Sequence, residues 1–348
     1  MSTCPTCEPN FRKTLSSGHV LALTTTMTSG SFRAARRALI SRAMANEKTA
    51  KAPACTLFLI ALEASAQLMP SDAPLQYSAA LLAQGNPRLG AVDLRLQYRH
   101  LLGGAGSGSA IGGFAAIAVG PAGVRPGVGL EIQPLAFLSF GFDYFATYYF
   151  GTQGLAQSYP SPHSDYGSDA FSAPSDGPGG SYALWVQQLT VHAVLQGILG
   201  PIAVRNTTRA SRFFADLHGN DRVFYEPVLD VTVYKDGWAG QNETDVMYLW
   251  TSSFIVGLRY TLTIAWYASD AYSPGEPQDN PNTPTSKLGP VAAWQFLQSD
   301  GGAVQHGALL LTSQWYLSHR YRTGATVSGA LPFFGLALVF SGDLVRSR

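Results

Sequence analysis

The sequence predicts an all-β fold: a transmembrane, antiparallel, up-and-down β-barrel of about 10–12 strands behind an N-terminal signal segment. Three observations predict it. Residues 92–99 read V-D-L-R-L-Q-Y-R, with Val92, Leu94, Leu96 and Tyr98 on one parity and Asp93, Arg95, Gln97 and Arg99 on the other, and such alternation recurs to the C-terminus. Successive strand side chains point to opposite faces, so each segment carries one greasy and one polar face. Charged residues make up only 13% of the 348, against roughly 25% in soluble domains. No run reaches the ~18 apolar residues of a membrane-crossing helix. Finally, short turns such as Gly200-Pro201 alternate with long polar loops, as in a barrel with a short-turn side and a long-loop side.

Residues 1–66 read as leader. Lys48 and Lys51 precede the apolar segment from Ala52 to Leu62, and Ala64-Ser65-Ala66 precedes Gln67. That is a positive n-region, a short h-region and a small-residue cleavage site. The true start of the chain is expected at Met44, with residues 1–43 read from a start codon placed too early, and cleavage after Ala66. Cys4, Cys7 and Cys55 all precede Gln67, so the mature chain carries no cysteine. Cys4-Pro-Thr-Cys7 lacks the second ligand pair of a zinc site. Neither metal nor cofactor is expected. Residues 67–90 read as a lead-in, 91–342 as the barrel and 343–348 as a tail.

Along the barrel, Val128, Leu130 and Ile132 alternate with Gly129, Glu131 and Gln133, and Pro134 ends that strand because it cannot donate to a ladder. From Leu138 to Phe150 the apolar parity is opposed by Ser139, Gly141, Asp143 and Thr147. Tyr148, Tyr149 and Phe150 close this strand like an aromatic belt, a role also expected of Tyr98, Trp294 and Trp315. Leu189–Leu195 alternates with Gln188–Gln196. The strand from Ala203 to Phe214 is polar on both parities, with Arg205, Thr207, Arg209 and Ser211 opposite Asn206 and Thr208. Leu229, Val231 and Val233 alternate with Asp230 and Thr232, and Asp236-Gly237 marks a turn. Further strands run through 254–261, 292–296, 309–318 and 334–340. The weakest patterns lie at 74–86 and 240–252.

The final strand, Gly335-Leu336-Ala337-Leu338-Val339-Phe340, resembles the C-terminal assembly signal of bacterial outer-membrane β-barrel proteins, with Gly335, Leu338 and Phe340 in its key places. It departs from that signal in having Phe333 where a polar residue is usual and residues 341–348 after the aromatic. The resemblance covers about residues 90–342 at the superfamily level. It implies a bacterial outer-membrane location, contact with outer-membrane lipids and lipopolysaccharide, and handling by the barrel assembly machinery.

The inward parity collects Asp93, Arg95, Arg99, Glu131, Asp143, Arg205, Arg209, Asp230, Arg259 and Arg320. So many ions in a dry core would be very costly, so the lumen is expected to be wet or filled by paired charges. One reading is a narrow, porin-like pore for small solutes or ions. The other is a passive structural barrel plugged by its own ion pairs. The net charge of +1 argues against nucleic acid as a partner. An outer-membrane lipid hydrolase would need a base from His100, His192, His306 or His319, but no serine motif surrounds any of them, and the balance is against an enzyme. Ser318 and His319 are strand neighbours and face opposite sides. A third reading is a surface interaction protein acting through the loop 151–181. That loop holds Asp165, Asp169 and Asp176, and the loop 269–286 holds Asp270, Glu276 and Asp279, neither with a Lys or Arg. Simple solvation explains them better than cation binding, since EF-hand spacing is absent.

Overall fold

Twelve long strands close into one antiparallel barrel. The computed structural model describes residues 73–102, 108–152, 155–167, 180–299, 301–323 and 332–345. Met44, the cleavage site after Ala66 and the three cysteines lie outside the described residues, as do Asp169 and Asp176. In chain order the strands are β1 (Leu75–Gly85), β2 (Leu89–Leu101), β3 (Ala110–Gly120), β4 (Gly123–Leu135), β5 (Leu138–Phe150), β6 (Ser158–Tyr159), β7 (Ala183–Leu199), β8 (Ile202–Ala215), β9 (Val223–Glu226), β10 (Val231–Tyr234), β11 (Trp238–Leu249), β12 (Phe254–Trp266), β13 (Thr285–Gln298), β14 (His306–Ser318) and β15 (Phe333–Val345). The wall runs β1-β15-β14-β13-β12-β11-β8-β7-β5-β4-β3-β2 and closes β2 onto β1, while β10-β9-β6 form a separate three-stranded sheet.

Each wall strand is 11 to 17 residues long, enough for the ~9–11 residues of a tilted crossing. Closure gives every ladder group a partner, the only way a sheet can lie in hydrocarbon. Strand β1 pairs with β15 from Ala79↔Phe340 to Gly85↔Phe334 and with β2 from Leu75↔Tyr98 to Gln84↔Leu89. The barrel therefore begins inside the segment expected to be a lead-in, and β15 extends to Val345. Run-on alanines (Ala79, Ala80, Ala83) hide the alternation of β1.

Both chain ends of the wall share one side with the tight β4–β5, β7–β8 and β11–β12 turns, while the short β1–β2 and β3–β4 turns lie on the other. Gly200 takes a positive φ of 60° in the β7–β8 turn, a conformation glycine adopts without a Cβ penalty. The opposite side carries the long connections β5–β7, β8–β11, β12–β13 and β14–β15. Outward parity is apolar on most strands, with Val92, Leu94, Leu130, Phe142, Val191, Leu258 and Leu311 exposed. Aromatics edge this band on both rims. Tyr148, Phe150, Trp185, Trp238 and Trp266 lie at the long-loop rim, and Tyr98, Tyr248, Trp250, Phe254 and Trp294 at the short-turn rim. An apolar outer band between two aromatic girdles is the surface of a barrel standing in a bacterial outer membrane.

Candidate functional site

The inner wall carries a charged belt at mid-height. Arg259 on β12 and Asp245 on β11 are register partners, and Nε and Nη2 of Arg259 donate to Oδ1 and Oδ2 of Asp245 at 2.6 and 2.7 Å. Nη1 of Arg259 lies 3.6 Å from Oε1 of Glu243, whose Oε2 accepts from Nη1 of Arg209 on β8 at 2.6 Å. Arg205 sits opposite Asp245 on the ladder. Bidentate geometry and shared partners let a buried ion cluster offset its desolvation.

Beside the belt, His192 on β7, the ladder partner of Arg209, holds Asp143 on β5 with Nδ1–Oδ2 at 3.0 Å. Gly141, opposite His192 on the ladder, leaves room for the ring, because a Cβ there would run into it. Arg95 stacks on Phe114 at 4.0 Å and Arg125 on Phe145 at 4.1 Å, cation–π contacts that desolvation strengthens. Arg99 donates to Oε1 of Gln133 at 2.6 Å. Asp93, Arg95, Arg99, Glu131, Asp143, Arg205, Arg209 and Arg259 thus all sit on inward-facing wall positions.

Two expected wall residues do not. Asp230 lies in the turn between β9 and β10, and Arg320 lies past the end of β14. The alternation at 229–234 suggested a wall strand, but β10 is only four residues long and buried on both faces, too short to cross a membrane. Tyr149 departs as well. It shares the inward parity of Phe145 and Thr147 and is 7% exposed, whereas Tyr98, Tyr148, Phe150, Trp294 and Trp315 face outward. On β15, Leu338 and Phe340 face outward and Gly335 inward.

The long connections fold back into the barrel mouth. Ala156, Phe224, Val231 and Val233 cluster with the inward-facing Tyr149, Leu184, Val186, Phe213, Ala239 and Ala265 of the wall. Val223, Phe224, Tyr225, Val231 and Val233 are fully buried. Burying side chains of this size contributes roughly 1.5–3 kcal/mol each, so the sheet is a second core inside the mouth. The β9–β10 tip reaches the belt, where Val228 lines a cavity of about 70 Å³ with Gln241, Glu243, Arg259, Lys287 and Gln314. Apolar side chains, among them Leu82, Leu89 and Phe333, share the lining, and the room holds a few waters at most.

Asp230 clasps this tip to the wall. Its Oδ1 accepts from Tyr225 Oη at 2.6 Å and Arg322 Nη2 at 2.8 Å, and its Oδ2 from Tyr316 Oη and Arg322 Nε at 2.6 Å each. It takes a positive φ of 56°. Burial works against the Asp230 carboxylate, but the charges of His319 when protonated and of Arg322, with the hydrogen bonds, hold it below its ordinary range. His319 donates from Nε2 to the Asp230 carbonyl at 2.9 Å and accepts at Nδ1 from the Tyr321 N–H at 3.0 Å. Only the neutral tautomer does both, and burial pushes its pKa down. Neutral His319 leaves Arg322 as the standing charge on Asp230. Arg320 ties the remaining loops together, donating to the carbonyls of Pro162 and His163 and to Oδ1 of Asn282.

Sequence reasoning missed the clasp. Tyr225, Tyr316 and Arg322 carry no local motif, and the buried carboxylate joins them. Of the candidate bases, His100 faces outward, His306 opens β14, His192 is held by Asp143 and His319 belongs to the clasp.

No protein-family model matches the chain, and no curated protein matches it. Solved structures similar to it include an outer membrane channel from Pseudomonas putida F1 (12% identity, 78% of this chain and 96% of that one, TM-score 0.40). The translocator domain of the autotransporter NalP from Neisseria meningitidis aligns at 8% identity over 92% and 99% of the two chains, with a TM-score of 0.38. The NanC porin aligns at 9% identity over 78% and 100%, with a TM-score of 0.34.

Proposed function

We propose that the protein is a narrow, porin-like channel with a charged lumen, kept shut at neutral pH by its own long loops. The observation that carries this reading is the β9–β10 tip seated on the belt and clasped by Asp230 to Arg322 and Tyr316. A passive barrel needs no such device, since ion pairs alone would fill its lumen. Among the described inward positions, Arg95, Arg99, Arg125, Arg205, Arg209, Arg259 and Lys287 outnumber Asp93, Glu131, Asp143, Glu243 and Asp245. The opened lumen would therefore favour small anions. Lipid and lipopolysaccharide would pack on the outer band, and the outward Leu338 and Phe340 of β15 would be presented to the assembly machinery.

The test is solute flux from vesicles holding the full chain or a variant with residues 219–235 replaced by a short Gly-Ser turn. Tight wild-type vesicles and leaky variant vesicles, with both barrels folded by heat-modifiable mobility, support the reading. Equal leakage from both would show that the loops do not close the lumen. A folded variant that stays tight would mean a passive structural barrel.

A further inference from the structure

Phe333 stands where a polar residue is usual, and the reason lies in the lumen. It shares the inward parity of Gly335 on β15, and its ring covers the ammonium of Lys287 on β13, with Nζ 3.8 Å from the ring centroid. Tyr316, the ladder partner of Lys287 on β14, has its ring 5.9 Å from the same ammonium. Ring faces favour the charged form of a lysine. Lys287 is 8% exposed, and among the described residues no carboxylate and no hydrogen-bond acceptor holds its ammonium.

The carboxylates around it are already taken. Asp245 pairs with Arg259, Glu243 lies between Arg209 and Arg259, and Asp230 is clasped by Arg322. Lys287 is therefore a surplus cation in a desolvated place, which is costly unless a counter-charge joins it.

The cavity of about 70 Å³ under the β9–β10 tip is where that counter-charge fits, since Lys287 and Phe333 both line it. Neighbouring strands β11 to β14 give the cavity a polar side. There Gln241 turns its amide oxygen to Arg209 Nη1 at 3.4 Å, and its NH2 has no acceptor among the described residues. Gln314 spends both amide hydrogens on the Arg259 carbonyl and Thr261 Oγ1, at 3.2 and 3.0 Å. Strands β15, β1 and β2 give the other side, with Phe333, Leu82 and Leu89, and the amide of Gln84 there turns to the Pro227 carbonyl. Cation and amide donors thus face an apolar side across the room of a few waters. That is the size and polarity of a carboxylate carrying one or two further carbons; a bare halide would leave the apolar side unfilled.

We infer that this cavity binds a short carboxylate of two or three carbons, with its charge on the Lys287 ammonium and the Gln241 amide and its alkyl end toward Leu82 and Leu89. The site is complete with the loops seated, so it stands whether or not the lumen conducts.

The test is calorimetric titration of propionate into the full chain, folded in a neutral detergent at pH 7 with a buffer anion too bulky for the cavity. One propionate should bind per barrel, and acetate should compete with it. Lys287→Met keeps the length of the stem and removes the charge; it should weaken binding tenfold or more with heat-modifiable mobility retained. Leu82→Phe leaves Lys287 in place and fills the apolar side, and it should weaken propionate by a similar factor. A folded wild type that takes up no propionate would overturn the inference, and so would equal binding by Lys287→Met. Chloride binding as tightly as propionate, with Leu82→Phe moving neither, would mean a halide site and would overturn the carboxylate assignment.

Discussion

Asp230→Asn should loosen the mouth without unfolding the wall. The carboxylate accepts four hydrogen bonds, two of them from Arg322, whose side chain is 13% exposed. An amide keeps the shape but turns an NH2 toward the guanidinium and leaves that cation buried without its counter-charge. Removing one partner of a buried pair costs about 3–5 kcal/mol. Most of that loss falls on the closed mouth, because the wall ladder does not involve Asp230. At about 1.4 kcal/mol per factor of ten, the open population should rise roughly 100- to 4,000-fold. Hydrogen exchange in residues 223–234 reads this directly, with slow amides in the wild type, fast ones in the variant, and unchanged exchange in β2–β5. Exchange in 223–234 equal to wild type would refute the reasoning, as would equal acceleration throughout the wall.

Other outcomes follow from the same contacts. Acid should open the mouth. The depressed pKa of His319 means that its contribution is complete above its ordinary value near 6.5 and falls as pH drops below it. Asp230, also depressed, adds a second loss below about 4. Proteolysis of the long loops against pH should show both phases in the wild type, with His319→Gln lacking the upper one. Gly141→Ala should destabilise the barrel by about 1–3 kcal/mol, because the new methyl collides with the His192 ring; a denaturant midpoint checks this. Arg259→Gln leaves Asp245 and Glu243 short of their shared cation. In the loop-replaced variant it should move the reversal potential toward cations.

The barrel was legible because its wall obeys one rule. In 92–99 and 138–150 every second residue faces lipid, and a period of two survives even where the residues are mixed. The same rule places Tyr149 inside with Phe145 and Thr147. Grouping it with its aromatic neighbours Tyr148 and Phe150 set parity aside. Residues 75–85 were obscure because alanine suits both faces. The clasp was out of reach for a different reason. Asp230, Tyr225, Tyr316 and Arg322 meet only after the connection from β8 to β11 folds back into the lumen, and no local periodicity encodes that return. A length test would have helped, since the alternation at 229–234 is too short to cross a bilayer. The polar outer face of β8 was visible in the sequence, but Asn242 and Thr244, which bond to it from β11, emerge as its partners only from the register.

Single-channel recording of the full chain in a planar bilayer, first at neutral pH and then after acidification of the long-loop side below about pH 4, tests closure most directly. A folded wild-type barrel should be silent at neutral pH and show discrete, anion-favouring steps after acidification. Steady steps at neutral pH would contradict a mouth held shut by the Asp230 clasp, and so would silence that persists after the loops have become protease-sensitive.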